Sequence, residues 1–397
     1  MSLPIITLYG LGTTIGAGIY VLIGKVAGEA GLFAPLSFLI AAGLAGLSAF
    51  SFAELSSRLP KSAGEAVYVR EGLGRRRLAV AVGLLVVLAG TVSAAAVIVG
   101  AAGYIQFYVP APQTAIVVVA GLALGLVAAW GINESVGAVA LFTLLEIAGL
   151  ILVIWAGTFG PALSAEPLPE AMAAPQGAAW GGILAASILA FFAFIGFEDM
   201  VNVAEEVRDV SRTLPAAIIL TLVITTLMYV AISVVAVLAV PIAELEASKA
   251  PLALIYARGT GSSPAVIVAI GIFATLNGAL IQVVMGSRIL YGLSAQGWLP
   301  AGLGKVSART RTPVLATGLV TAAVLALALW FPIQNLAQAT SLITLTVFAL
   351  VNLSLLRIKR RDPRPAGVAV FPSWLPAGGF IASTAFVVLE FIRLLQA

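Results

Sequence analysis

Neither cysteine nor histidine occurs in the 397 residues. Without cysteine there is no disulfide framework and no thiolate metal site. Without histidine there is no Ser-His-Asp triad, no imidazole metal site and no histidine proton relay. Proton chemistry therefore falls to carboxylates or lysine. Charge is also scarce: 10% of residues are Asp, Glu, Lys or Arg, against about 25% in a soluble domain. The net charge of +4 comes from basic residues in short loops, which is no nucleic-acid footprint. No Gly-x-x-x-x-Gly-Lys-[Ser/Thr] run is present, so the chain carries no Walker phosphate loop. What remains is apolar, with 61% hydrophobic residues and a mean hydropathy of +1.11. Such a chain cannot cover itself with polar surface, so its outer face must meet lipid.

A helix crossing a hydrocarbon core about 30 Å thick needs roughly 20 apolar residues. Eleven stretches qualify: 4–27, 33–57, 78–108, 113–131, 135–157, 180–204, 213–240, 263–292, 313–331, 335–357 and 371–395. They are continuous and rich in Ala, Leu and Gly, which argues against the alternation of a β-barrel. The expected fold is an all-α integral membrane bundle. Residues 1–30 lack the pattern of a cleavable signal, so the first stretch reads as a permanent span. With a cytoplasmic N-terminus, sixteen of the 21 Lys and Arg face inward, among them Arg58, Lys61, Arg70, Arg208, Lys305, Arg357 and Arg364. Four face outward: Lys25, Lys249, Arg258 and Arg393. That bias follows the positive-inside rule, and eleven spans then put the C-terminus outside.

The outer loop 158–179 holds Pro161, Pro167, Pro169 and Pro175 and no Lys or Arg. It separates five spans from the next five. Because five is odd, consecutive five-helix units lie upside down relative to each other, as in inverted-repeat transporters. Both units open with a glycine-interrupted span and have a long third span. The offsets agree, at 180 between Gly16 and Gly196 and 185 between positions 78 and 263. The expected units are a first repeat over 1–157, a second from 180–331 extending to 357, and a remainder, 358–397, with the eleventh span.

Glycine in membrane helices often does no more than permit close packing, and Gly43, Gly46, Gly121 and Gly125 fit that reading. The run Gly12-Thr13-Thr14-Ile15-Gly16-Ala17-Gly18-Ile19 is denser and sits mid-span. Unwinding there frees N–H and C=O groups, which in hydrocarbon must find partners. A substrate ammonium and carboxylate can supply them, and a half-helix N-terminus favours an anion.

At these residues the chain resembles the amino acid–polyamine–organocation superfamily. Gly12 to Tyr20 looks like its Gly-x-x-Ile-Gly-x-Gly-Ile-Phe signature. Phe52 to Glu65 resembles its second-span exit and first inner loop. Phe191-Phe192-Ala193-Phe194-Ile195-Gly196-Phe197-Glu198, then Glu205, Glu206 and Leu214-Pro215, is similar to its sixth span, and Ser287 to Tyr291 to the end of its eighth. The match runs from about residue 5 to 360 in the expected order. The nearest relatives by motif look like bacterial permeases akin to cationic amino acid transporters. The resemblance implies a LeuT-type 5+5 inverted repeat with alternating access, here followed by one additional C-terminal transmembrane helix. It implies a substrate carboxylate at the backbone N–H groups near Ala17 and Gly18, and an amine at carbonyls near Thr14, Ala193 and Ile195. Thr13, Gly16 and Gly196 complete the broken backbones, Phe192 acts as an aromatic wall or gate, and Ser93 lines the site. The chain departs from relatives in having eleven spans where many have twelve, and in Ala17 where several carry Ser or Thr.

An ionisable residue in mid-membrane costs at least about 2.5–3.5 kcal/mol and is a functional candidate by default. Glu146 is the twelfth of 23 residues in its span, with no cationic partner on its own helix. Several relatives have lysine there, where sodium sits in sodium-coupled cousins. Glu146 is read as a proton-coupling or cation-binding group, against a neutral structural acid. Glu198 shapes an inner gate or senses protons, or merely lies near the mouth. Asp199 follows it, and neighbouring helical residues point about 100° apart, so the two are not expected to face one site. Glu54, Arg58, Lys61, Glu65 and Arg288 are candidates for an inner salt-bridge network, although snorkelling explains Arg288 more simply.

The sequence thus points to a secondary transporter of a small amino acid in the plasma membrane, with protons favoured as the coupling ion. An exchanger, a sodium symporter and a non-transporting sensor stay open, the last disfavoured by short loops. An intramembrane enzyme has little support, and neither a cofactor nor a metal is expected.

Overall fold

The structure, a computed structural model, describes residues 1–60, 64–131, 136–160, 174–177 and 179–396. Lys61 and most of the 158–179 loop, with Pro161, Pro167 and Pro169, lie outside the described residues, as does the side chain of Ala17. Helices account for the architecture, and no strand occurs among the described residues. In chain order they are α1 (Leu3–Thr14), α2 (Ala17–Ala30), α3 (Ala34–Arg58), α4 (Gly64–Leu73), α5 (Arg76–Ile105), α6 (Gln113–Trp130) and α7 (Val136–Phe159). There follow α8 (Ala179–Phe192), α9 (Val210–Ala239), α10 (Ile242–Ala247), α11 (Pro251–Thr260), α12 (Ala265–Ala295), α13 (Val314–Trp330), α14 (Ile333–Arg361) and α15 (Trp374–Gln396).

Each of the eleven apolar stretches is helical, with ends within four residues of those read from the sequence. Among the described residues, nine helical stretches are long and apolar enough to cross a membrane. One of them, Gly18–Arg58, forms two legs, because the chain turns between α2 and α3 at Gly31, whose φ of 59° suits glycine. The apolar helices α1 and α13 are shorter. Large apolar side chains stand exposed along the outside of the bundle, including Val119, Leu126, Leu227 and Ile381, each 66–72% exposed. A contiguous apolar exterior of this kind marks a surface meant for lipid. Three helices lie in segments read as loops, namely α4, α10 and α11.

Two spans are interrupted. The first breaks between Thr14 and Ala17, splitting α1 from α2. The second leaves α-helix after Phe192 and resumes as a 3-10 helix over Phe197–Glu206. Ten residues is long for 3-10 geometry, and Val203 already departs from helical angles within it.

The most extensive interfaces join α5 to α12 and α3 to α9. Further pairs are α2 with α8, α1 with the 3-10 segment, and α6 with α13. Arg58, Arg361, Arg76 and Arg309 gather at one end of the bundle, called the basic end below. There Arg58 Nη1 donates to the Asp362 carbonyl at 2.9 Å, and Arg76 stacks over Trp298. Glu29, Glu244 and Arg393 mark the opposite end.

Candidate functional site

The two breaks touch. The Thr13 hydroxyl donates to the Gly196 carbonyl oxygen at 3.0 Å. Gly196 has a φ of 128°, and a Cβ there would lie 2.3 Å from the Thr13 oxygen. A Cβ on Gly18 would lie 2.4 Å from the Cα of Ala193. Backbone thus meets backbone, which only glycine allows at these two positions. Gly16 is different: its nearest neighbour would be 3.7 Å from a Cβ, so close packing does not account for it. Ile15 still donates to the Leu11 carbonyl at 2.7 Å, and α2 starts afresh at Ala17. In the second break, Ala193, Phe194 and Ile195 donate three residues back, the tight turns of a helix coming apart.

Tyr229 of α9 sits between the breaks. Its buried hydroxyl oxygen lies 2.8 Å from the Thr14 carbonyl oxygen and 2.9 Å from that of Ala193. These are two of the carbonyls expected to meet a substrate amine, and each retains a second lone pair. The sequence offered no sign of this role, since Tyr229 is one polar tip in an apolar span. Ile195, holder of the third carbonyl, lines a cavity with Ser93, Glu198 and Asp199. Phe192 is not on that cavity. It packs beside Val21, Val97 and Ile333, on the side away from the basic end.

The cavity is narrow, with about 30 Å³ that a water-sized group can occupy, and is bounded by α5, α12 and α14. Glu65 of α4 enters it from outside the spans. Burial pushes the Glu65 carboxyl up to about 7. Met285 of α12 is shared with a larger vestibule of about 1240 Å³, lined by Ile5, Tyr9, Val203, Glu206 and Arg288. That vestibule lies between α1, α7, α12 and the 3-10 segment.

Two expectations about charges change. Glu198 and Asp199, at the start of the 3-10 segment, line the same cavity. Their angular separation therefore does not part them. Arg288 is exposed and lines the vestibule with Glu206, a position that fits the snorkelling account. The expected network at the end of α3 exists with other members. Glu54, fully buried, accepts from Arg58 Nε and Nη2 at 2.9 and 2.7 Å, and from Lys359 Nζ at 2.8 and 2.9 Å. It also accepts the Phe371 amide at 2.9 Å. Glu65 and Arg288 take no part in that cluster.

Glu146 is 2% exposed, and neither carboxyl oxygen has a hydrogen-bond partner among the described residues. The Tyr20 hydroxyl donates to its backbone carbonyl at 2.9 Å, not to its side chain. Glu198 is engaged locally, accepting the Gly196 amide at 2.8 Å. No cluster of acidic side chains suited to a metal ion occurs among the described residues. The structure thus brings together Thr13, Thr14, Gly18, Ala193 and Gly196, places Ser93, Ile195 and Glu198 on one cavity, and leaves Glu146 and Phe192 apart from it.

Comparison with known proteins gives this geometry its context. The family model described as Amino acid permease matches residues 3–393. The chain is 28% identical over 395 residues to the branched-chain amino acid permease BcaP of Bacillus subtilis, covering 92% of this chain and 83% of that protein. It is 33% identical over 392 residues to the vacuolar cationic amino acid transporter 2 of Arabidopsis thaliana, covering 91% of this chain but 60% of the longer relative. A methylthioribose transporter of Bacillus subtilis is 27% identical over 381 residues, covering 90% of this chain and 80% of that protein. These relatives are permeases and transporters, and their names differ in the cargo they state.

Proposed function

Because this multi-pass membrane protein belongs to the amino acid permease family of the amino acid–polyamine–organocation superfamily, we propose that it is a secondary transporter of a small amino acid. It works by alternating access. The observation that carries this reading is the contact of two broken spans, Thr13 against Gly196, beside a cavity and vestibule on the basic side. Broken helices expose unpaired backbone dipoles at mid-membrane, the usual device for holding a zwitterion there. The carboxylate goes to the N–H groups at the start of α2, near Ala17 and Gly18. The amine goes to the remaining carbonyl lone pairs of Thr14, Ala193 and Ile195.

The architecture we assign is the LeuT-type 5+5 inverted repeat, with repeats over 1–157 and 180–357 and an eleventh span within 358–397. Support comes from the packing, in which spans five places apart pair with each other: first with sixth, second with seventh, third with eighth and fourth with ninth. A pseudo-twofold axis through the middle produces that pattern. The basic end is cytoplasmic by the positive-inside rule, and the membrane is the plasma membrane. The N-terminus is then cytoplasmic and the C-terminus outside.

Coupling is assigned to protons through Glu146, whose buried carboxyl has no hydrogen-bond partner among the described residues. An intramembrane acid of this kind marks an ion pathway. Purified protein in proteoliposomes is expected to accumulate amino acid under an inward proton gradient in sodium-free buffer. Glu146→Gln should abolish the pH response. Accumulation that needs sodium would make it a sodium symporter, counterflow without accumulation an exchanger, and binding without flux a sensor.

A further inference from the structure

The two ends of the bundle treat arginine in opposite ways. At the end marked by Glu29 and Glu244, Arg258 pairs with Glu244, and Arg393 lies 3.9 Å from Glu29 and 3.7 Å from Glu390. At the basic end, Arg58 and Lys359 close on Glu54. The other arginines of α4, α5 and α14, and Arg364 just beyond α14, have no carboxylate at ion-pair distance among the described residues. The last turn of α14 sorts its cations by direction. Arg357, Arg360 and Arg361 recur at spacings of three and four, which places them on one face of the helix, and all three are exposed. Lys359 points the other way and is buried against Glu54. Arg364 follows past the helix end and is exposed too.

A second run of arginine is held alongside. The end of α4 packs on α14, where a Cβ on Gly72 would lie 2.5 Å from that of Ser354. Arg361 Nη1 donates to the Glu71 carbonyl at 3.3 Å. The exposed triplet Arg75–Arg77 follows directly. The nearby exposed acids are few: residues 70–77 hold four Arg against Glu71, and residues 357–364 hold four Arg and a Lys against Asp362. Clusters of about four to eight basic residues at the cytoplasmic end of a span attract anionic lipid. Guanidinium forks also match phosphate oxygens in two-point hydrogen bonds. We propose that the exposed arginines at the end of α14, with Arg75–Arg77, form a docking face for the phosphate headgroups of anionic phospholipid in the adjoining leaflet. The headgroups supply at this end the negative charge that Glu29, Glu244 and Glu390 supply at the other. The face lies away from the two breaks and is independent of what is carried.

The test compares lipids. The full-length protein in mild detergent is titrated with phosphatidylglycerol, phosphatidylcholine or inorganic phosphate, and its melting temperature and native mass spectrum are recorded. Phosphatidylglycerol is expected to bind and stabilise at concentrations where the other two do neither. The preference should shrink as salt rises from about 0.1 M to about 1 M, since the screening length falls from about 10 Å to about 3 Å. The triple variant Arg357→Gln, Arg360→Gln, Arg364→Gln leaves Arg361 on the Glu71 carbonyl. It should cut the preference by about a hundredfold, at about fivefold per arginine near an anionic surface. Arg258→Gln, at the opposite end, should leave the preference unchanged. Equal binding of the two lipids, a preference indifferent to salt, or a triple variant as selective as wild type overturns the docking face. Stabilisation by inorganic phosphate alone would make it a soluble-anion site. Binding of poly-L-glutamate without lipid preference would make it a protein-docking face. Either result overturns the lipid assignment. The wild-type lipid and salt series decide the matter even where the triple variant fails to fold.

Discussion

Replacing Gly196 with alanine tests the site at the place where it is most tightly built. The new Cβ would lie 2.3 Å from the Thr13 carbonyl oxygen, 2.7 Å from its carbon and 3.0 Å from the Thr14 nitrogen. All three are backbone atoms, so no side chain can swing aside. Ordinary contact begins at 3.4 Å, so the two broken spans must separate by about 1 Å, the difference between those distances. The φ of 128° adds strain of about 1–3 kcal/mol for a non-glycine residue. Loss of the Thr13 hydroxyl bond adds about 1 kcal/mol. A displacement of about 1 Å at a reacting or binding centre commonly costs about 100-fold in rate. Uptake of labelled amino acid should therefore fall by about two orders of magnitude, together with the melting temperature in detergent. Gly43→Ala is the control, because a Cβ there meets nothing within 4 Å. If Gly196→Ala transports within about twofold of wild type at unchanged melting temperature, the steric reasoning behind those estimates is wrong.

Other perturbations have outcomes of known sign. Lys359→Met strips Glu54 of a buried partner and should destabilise by about 3–5 kcal/mol, read by denaturation, while Glu54→Gln with Lys359→Met recovers part of the loss. Tyr229→Phe removes the hydroxyl shared by the Thr14 and Ala193 carbonyls. About 1–3 kcal/mol of stability should go with it, and amino acid affinity measured by calorimetry should weaken. Glu65 has its carboxyl raised from 4.5 to about 7, so the folded state binds its proton more tightly than the unfolded chain. Its stabilising contribution is complete below pH 4.5 and is lost as pH rises through about 7, a change of roughly 3 kcal/mol. Glu65→Gln should flatten that part of the pH–stability curve, and an unaltered curve would show that Glu65 is not so perturbed.

Much of the scaffold was legible because membrane helices announce themselves locally. An apolar run of fixed length needs no tertiary partner to be recognised, so the eleven stretches and their ends were readable. The first break was readable for the same reason: three glycines and two threonines weaken a helix wherever it packs. What could not be read was pairing across the chain. Lys359 finds Glu54 from 305 residues away, and Tyr229 finds Thr14 from 215 away. Nothing local distinguishes these side chains from their neighbours. Glu65 was visible as a charge but not as a wall of the cavity, because α4 lies in a segment that hydropathy reads only as loop. The 100° rule did not part Glu198 and Asp199 because directions around an axis do not tell where the surrounding helices leave space.

The cluster at Glu54 has a mechanical consequence. Arg58 reaches Asp362, Lys359 reaches the Phe371 carbonyl, and Ser57 takes the Ala369 amide. About two turns deeper along the same helix, Asn352 is pinned between Ser48 and Ser51. The second helix leg, the long helix ending at Arg361 and the approach to the final helix are therefore riveted along a common seam and move as one girder. In the alternating-access reading proposed above, rocking takes place at the joint where the leading half-helix and the 3-10 stretch face α12 over the vestibule. Freight would leave through that joint, while the girder behind it stays still.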